Sequence, residues 1–130
     1  MTTQAIPRRL ALIAGLAALV VGAIRHVRSA GTVERMAGEL AHPAEAAIAT
    51  IVWHSLTGIL LVAGVLLIVS AWRSRGFARG VALMATLVFA IPALLMGLIA
   101  GSQLGDPLAF YPIFPLAGVA LLSLTAFIRA

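Results

Sequence analysis

Apolar residues come in four long runs, broken by short polar or glycine/proline-rich segments. The runs are Leu10–Ile24, a stretch ending at Trp72, Phe77–Gly101 and one ending near Arg129. About 20 apolar residues in a helix cross a bilayer core. The pattern predicts an all-α membrane protein, an antiparallel four-helix transmembrane bundle. One domain fills residues 1–130, with spans at about 8–28, 46–72, 77–101 and 112–129. The second run anchors this reading: Thr50 to Arg75 enters at Trp53-His54-Ser55 and leaves at Trp72-Arg73-Ser74-Arg75.

The breaks carry recognisable signals. Pro7 and Pro43 suit the first turn of a helix, where a missing N–H costs nothing. Ser29–Ala46 is the one polar stretch, and it predicts a loop with a short helix over residues 32–37. Arg73-Ser74-Arg75-Gly76 reads as a tight basic turn. Pro92 falls near the middle of the third span and predicts a kink. Gly97, Gly101 and Gly105 recur every fourth residue, a spacing that lets membrane helices approach closely, so Gly97 and Gly101 are expected at a helix–helix contact. Phe110 and Tyr111 read as interface aromatics before the fourth span. The first run has a rival reading as a secretory signal, because Val21-Gly22-Ala23 resembles a cleavage site and Arg8-Arg9 a twin-Arg signal.

Composition agrees with the pattern. The chain is 62% hydrophobic and 10% charged, against roughly half and a quarter in soluble domains. All nine basic residues are Arg and the net charge is +5. In a soluble protein that balance points to nucleic acid. Here the arginines flank apolar runs, so the lipid bilayer is the expected partner and nucleic acid is not. Absence of cysteine excludes disulfides and thiolate chemistry.

Charge also orients the chain. Arg8, Arg9, Arg73, Arg75, Arg79 and Arg129 gather on one side with no acid. Arg25, Arg28 and Arg35 share the other side with Glu34, Glu39, Glu45 and Asp106. The positive-inside rule places both termini in the cytoplasm. A multi-pass protein of a bacterial inner membrane is expected.

All four acids and three histidines then lie on the extracytoplasmic side. His26 closes the first span and His54 lies near the start of the second. Gly15, Ala18 and Gly22 precede His26 on its helix face, while Thr50, Thr57 and Gly58 accompany His54. Small and polar residues mark helix contacts, so both rings are expected to point into the bundle and share a polar pocket. The plainer reading is structural: His54 bonds across helices to Gln103, Asp106 or a carbonyl, and Trp53 belongs to the aromatic belt. The sharper one is a divalent metal held by His26, His54 and His42 with Glu39, Glu45 or Asp106. A bis-histidine haem is its variant. Trp53, Thr57, Gln103 and Tyr111 are the expected supports. Ser55 follows His54, but adjacent residues on a helix do not face each other, and no nucleophile elbow is present. The residues do not point to an enzyme.

His26 followed by Trp53-His54-Ser55-Leu56-Thr57 resembles small four-span bacterial membrane proteins of uncharacterised function. The resemblance implies that His26 and His54 belong together, and it implies no activity. The leading expectation is a binding or accessory protein, for a partner membrane complex, a homo-oligomer or a small ligand. A metal- or haem-dependent redox protein comes second, and a small transporter third. Reporter domains fused at Ala130 and inserted between Leu40 and Ala41 should report opposite compartments. Matching compartments would contradict the four-span topology.

Overall fold

The computed structural model describes residues 5–108 and 111–130. Four helices follow in order: α1 Ala5–Glu39, α2 Pro43–Ser70, α3 Arg75–Leu104 and α4 Ile113–Arg129. No strand occurs among the described residues. Helices α1, α2 and α3 are long and apolar enough to cross a membrane, and α4 is a shorter apolar helix of 17 residues. At 1.5 Å per residue α4 is about 25 Å long.

The helix ends follow local chemistry. Pro43 opens α2 as expected, with Glu45 in its first turn, where a carboxylate favours the positive end of the helix dipole. Gly105 ends α3 in the left-handed region at φ 71°, which glycine adopts without a Cβ clash. Helix α3 continues through Pro92, as membrane helices often do when neighbours compensate. The polar stretch after Arg28 departs from expectation. It is no loop, for α1 continues unbroken to Glu39. Ala30, Glu34, Arg35, Met36 and Ala37 are good helix formers, and no proline interrupts them before Pro43. The turn confined to Leu40–His42 is far shorter than predicted. Phe110 lies outside the described residues.

Each helix packs on two neighbours: α1 on α2 and α4, α3 on α2 and α4. Their facing sides are lined by small residues. Ala14, Ala18, Ala63, Ala82, Ala85, Ala93, Ala100, Ala120 and Ala126 are all buried. The largest fully buried side chain is Phe89, in a cluster with Ala18 of α1, Leu60 and Ala63 of α2, and Leu116 and Val119 of α4. Outward faces carry Ile13, Leu16, Val20, Ile51, Val62, Leu87, Leu94, Leu98, Leu121 and Ile128, all exposed. So much apolar surface on the outside is unusual for a protein surrounded by water.

Glycines let α1 and α2 approach closely. A Cβ on Gly15 would lie 2.8 Å from the Gly64 carbonyl oxygen and 2.6 Å from Ile68 Cγ1. One on Gly64 would lie 3.1 Å from both the Gly15 oxygen and Ala18 Cβ, and one on Gly22 3.0 Å from Leu61 Cδ2. Two glycines thus bring two backbones into contact. The glycines of α3 do something else. Among the described residues, a Cβ at Gly97 or Gly101 would come nearest to Pro107, at 3.7 and 3.3 Å. Gly97 and Gly101 therefore accommodate the loop that folds back after Gly105, rather than another helix. Gly58 likewise has nothing within 4 Å and opens onto an apolar groove of about 360 Å³ with Val62, Met84 and Val88.

These contacts set an order of sensitivity. Gly15→Ala should destabilise the fold by about 1–3 kcal/mol, the usual cost of overpacking, because backbone cannot retreat as a flexible side chain can. Gly58→Ala should be neutral or mildly stabilising, since alanine exceeds glycine in helix propensity by up to about 1 kcal/mol. Unfolding of purified protein in mixed detergent measures both. Equal effects would mean that α1 and α2 are not held by this contact.

Candidate functional site

The glycine contact sets the register of α1 against α2. Gly15 lies opposite Gly64 and Ile68, and Gly22 opposite Leu60 and Leu61, so the two helices run in opposite directions. One turn beyond Gly22, α1 presents His26; one turn before Thr57, α2 presents Trp53 and His54. The three rings meet. His26 stacks on Trp53 with centroids 4.3 Å apart and planes 21° apart. His54 lies 5.3 Å from His26, tilted by 49°, and 4.7 Å edge-on to Trp53. His26 and Trp53 are partly buried, whereas His54 is exposed. The expectation that both histidines point inward thus holds for His26 alone. Trp53 continues the inner line of α2 through Thr57, Leu60 and Ala63 and is part of the cluster rather than a peripheral belt residue.

Several polar atoms at this level lack partners. Arg25 Nη1, His26 Nδ1 and Trp53 Nε1 are buried with no hydrogen-bond partner among the described residues. Arginine and tryptophan nitrogens only donate. A buried donor left unsatisfied costs about 1–3 kcal/mol. Arg25 is next to His26 in sequence but turns toward α4. There a cavity of about 180 Å³ is lined by Val21, Ile24, Arg25, Arg28, Tyr111, Pro112, Pro115 and Leu116. Its walls are mostly apolar, and its polar groups are two guanidinium groups and a phenol.

Other expected supports are used elsewhere. Thr57 is buried, and its hydroxyl donates to the Trp53 carbonyl oxygen (3.1 Å); Thr50 does the same to Ala46 (2.9 Å). Asp106 accepts the Leu108 N–H at 2.9 Å, closing the turn after α3. Gln103 is exposed in the last turn of α3. Glu39, His42 and Glu45 are exposed around the α1–α2 turn. Tyr111, also exposed, lines the cavity. The polar region is therefore one of histidine, arginine and aromatic groups, with no acid lining the cavity. This differs from the expected histidine/acid pocket.

No group of three or more His, Asp or Glu among the described residues is placed to hold a metal ion. His26 and His54 by themselves are two ligands, where zinc sites use three or four protein ligands. A bis-histidine haem needs its ligands on opposite faces of one macrocycle. Here Trp53 contacts both imidazoles and the three rings close on one another, so the arrangement does not fit a porphyrin.

No family model, curated protein or solved structure matches the chain. The residues themselves must carry the functional reading.

The sequence expectation places His26 beside His54, and their ring centroids lie 5.3 Å apart; it does not single out Arg25. The signal was present in Val21, Ile24, Arg25 and Arg28, which recur at three- and four-residue spacing and so share one helix face. Gly64 was also missed, because one glycine in an apolar run has no partner until the register is known. If the ring cluster is a cooperative unit, His26→Ala and Trp53→Ala should couple by about 0.5–1.5 kcal/mol, as stacked rings do. A double-mutant cycle on unfolding free energy measures this. Additive effects would mean that the rings contribute independently.

Proposed function

We propose that this chain is a small integral membrane binding protein, with four antiparallel spans in a bacterial inner membrane and both termini in the cytoplasm. Its site lies at the extracytoplasmic end, between α1 and the start of α4, next to the ring cluster that α1 forms with α2. The ligand is an anionic amphiphile with an acceptor-rich head and an apolar tail. The supporting observation is the set of buried, unpartnered nitrogens of Arg25, His26 and Trp53. Of these, Arg25 lines a cavity with apolar walls and a second arginine, Arg28, while His26, its neighbour in sequence, stacks on Trp53. The Arg25 and Trp53 nitrogens can only donate, so they favour a ligand that supplies oxygen atoms, and charged pairs are the stronger ones. The walls of Val21, Ile24 and Leu116 suit a hydrocarbon tail. Binding, rather than redox chemistry or transport, follows from the same residues. They are donors for a guest, whereas a redox centre needs a fuller ligand set and a coupled carrier a charge deep within the membrane.

Trp53 offers a direct reporter. The chain has one other tryptophan, Trp72, at the far end of α2. In a Trp72→Phe background, decanoate should change Trp53 emission saturably, while decanol, equal in chain length but uncharged, should act far more weakly. Arg25→Gln should weaken decanoate binding about tenfold, corresponding to about 1.4 kcal/mol and near the low end for a charged hydrogen bond. Equal responses to the acid and the alcohol, or an unchanged affinity in Arg25→Gln, would contradict the proposal.

A further inference from the structure

At the opposite end of the bundle lies a second, larger cavity of about 310 Å³. It opens between the start of α1, the α2–α3 turn and the end of α4. Its floor is alanine: Ala11, Ala71, Ala78, Ala82 and Ala126. Buried Ser70 lies among them, its rim is Arg8, Arg73 and Arg75 with Ser74, and no acidic side chain lines it. Ala130 also lines it.

The backbone adds to this field. Ser74 is the N-cap of α3, yet its side chain caps no N–H. The first main-chain donors of α3 therefore have no side-chain acceptor from the cap, and such helix starts attract anions. The ends of α2 and α4 lie at the same level and present carbonyls of opposite polarity. One of these is already engaged: Arg8 Nε–H donates to the Ala71 carbonyl at 2.7 Å. That bond holds the Arg8 guanidinium at the rim. Ser70 Oγ is likewise occupied, donating to the Leu67 carbonyl at 2.7 Å, which leaves the arginines and Ser74 as the polar groups facing a guest.

We infer that this cavity is a phosphate-binding site, formed by Arg8, Arg73, Arg75 and the uncapped start of α3. Three guanidinium groups around one opening suit the several oxygens of a phosphate, which arginine binds through paired hydrogen bonds. The site lies on the arginine-rich side, which faces the cytoplasm in the orientation proposed above, and basic pockets between membrane helices on that side suit anionic lipid headgroups. Arginines acting only as membrane anchors would attract anionic lipid diffusely. A built cavity binds one phosphate group saturably.

Native mass spectrometry of the full chain in detergent, titrated with phosphatidylglycerol or with phosphatidylcholine, tests this. One phosphatidylglycerol should be retained per chain, with at least tenfold preference over phosphatidylcholine. The exposed pair Arg73→Gln/Arg75→Gln should lose that preference, while Arg28→Gln at the other end should keep it. Inorganic phosphate in competition separates the sources. Displacement at millimolar levels identifies the phosphate group itself as the ligand; resistance to displacement, with the preference intact, identifies the lipid. An unsaturable series of bound lipids in the wild-type protein would overturn the inference. So would a wild-type protein that does not distinguish the two lipids, or a preference that survives in a correctly folded Arg73→Gln/Arg75→Gln variant.

Discussion

Helices surrounded by hydrocarbon gain little from burying apolar side chains, because lipid tails are as apolar as leucine. What holds them together is close contact, and here that contact is two glycines. Gly15 and Gly64 bring the backbones of α1 and α2 near enough that a single methyl group at Gly15 would collide with a carbonyl. The rest of the bundle continues the same device with alanine. The core is a ladder of alanines, filled at its centre by Phe89. Small residues at the seams and large ones on the outside invert the arrangement of a water-soluble core.

The glycine contact also determines where chemistry can occur. It fixes the rotation and register of α1 on α2, and so decides that His26 meets Trp53 rather than a residue one turn away. Stacking His26 on Trp53 immobilises both rings. It also explains how polar nitrogens are tolerated in partly buried positions: their ring faces are satisfied by packing while their edges remain unpaired. A positioned donor lacking an acceptor is poor for stability and good for recognition, because a guest that supplies the acceptor recovers the deficit.

The two ends of the molecule differ in how they use arginine. At one end Arg25 and Arg28 edge a narrow, mostly apolar cavity beside the aromatic cluster. At the other, Arg8, Arg73 and Arg75 edge a wider one at the start of α3. Charge at a helix end is inexpensive where side chains reach the interface, so anchoring alone explains arginine in the sequence. It does not explain arginines converging around a cavity, nor an Arg8 whose guanidinium is tied to the end of a neighbouring helix.

The all-helical class, the three long apolar helices and the proline opening of α2 were legible in the sequence, because run length and proline chemistry are local properties. The nearness of His26 to His54 was legible too, since consecutive antiparallel runs put the end of one beside the start of the next. The extent of α1 was not. Glycines and polar residues between Ser29 and Glu39 look like a loop until one sees that good helix formers lie among them and no proline interrupts them. The role of the glycines depended on tertiary structure altogether. Gly97 and Gly101 have the spacing of a helix contact and meet Pro107 of a loop, whereas Gly15 and Gly64, far apart in the chain, bring two helix backbones together. Spacing shows which residues share a face. Only the packed bundle decides what that face meets, because register and rotation come from contacts between segments and are written in neither segment by itself.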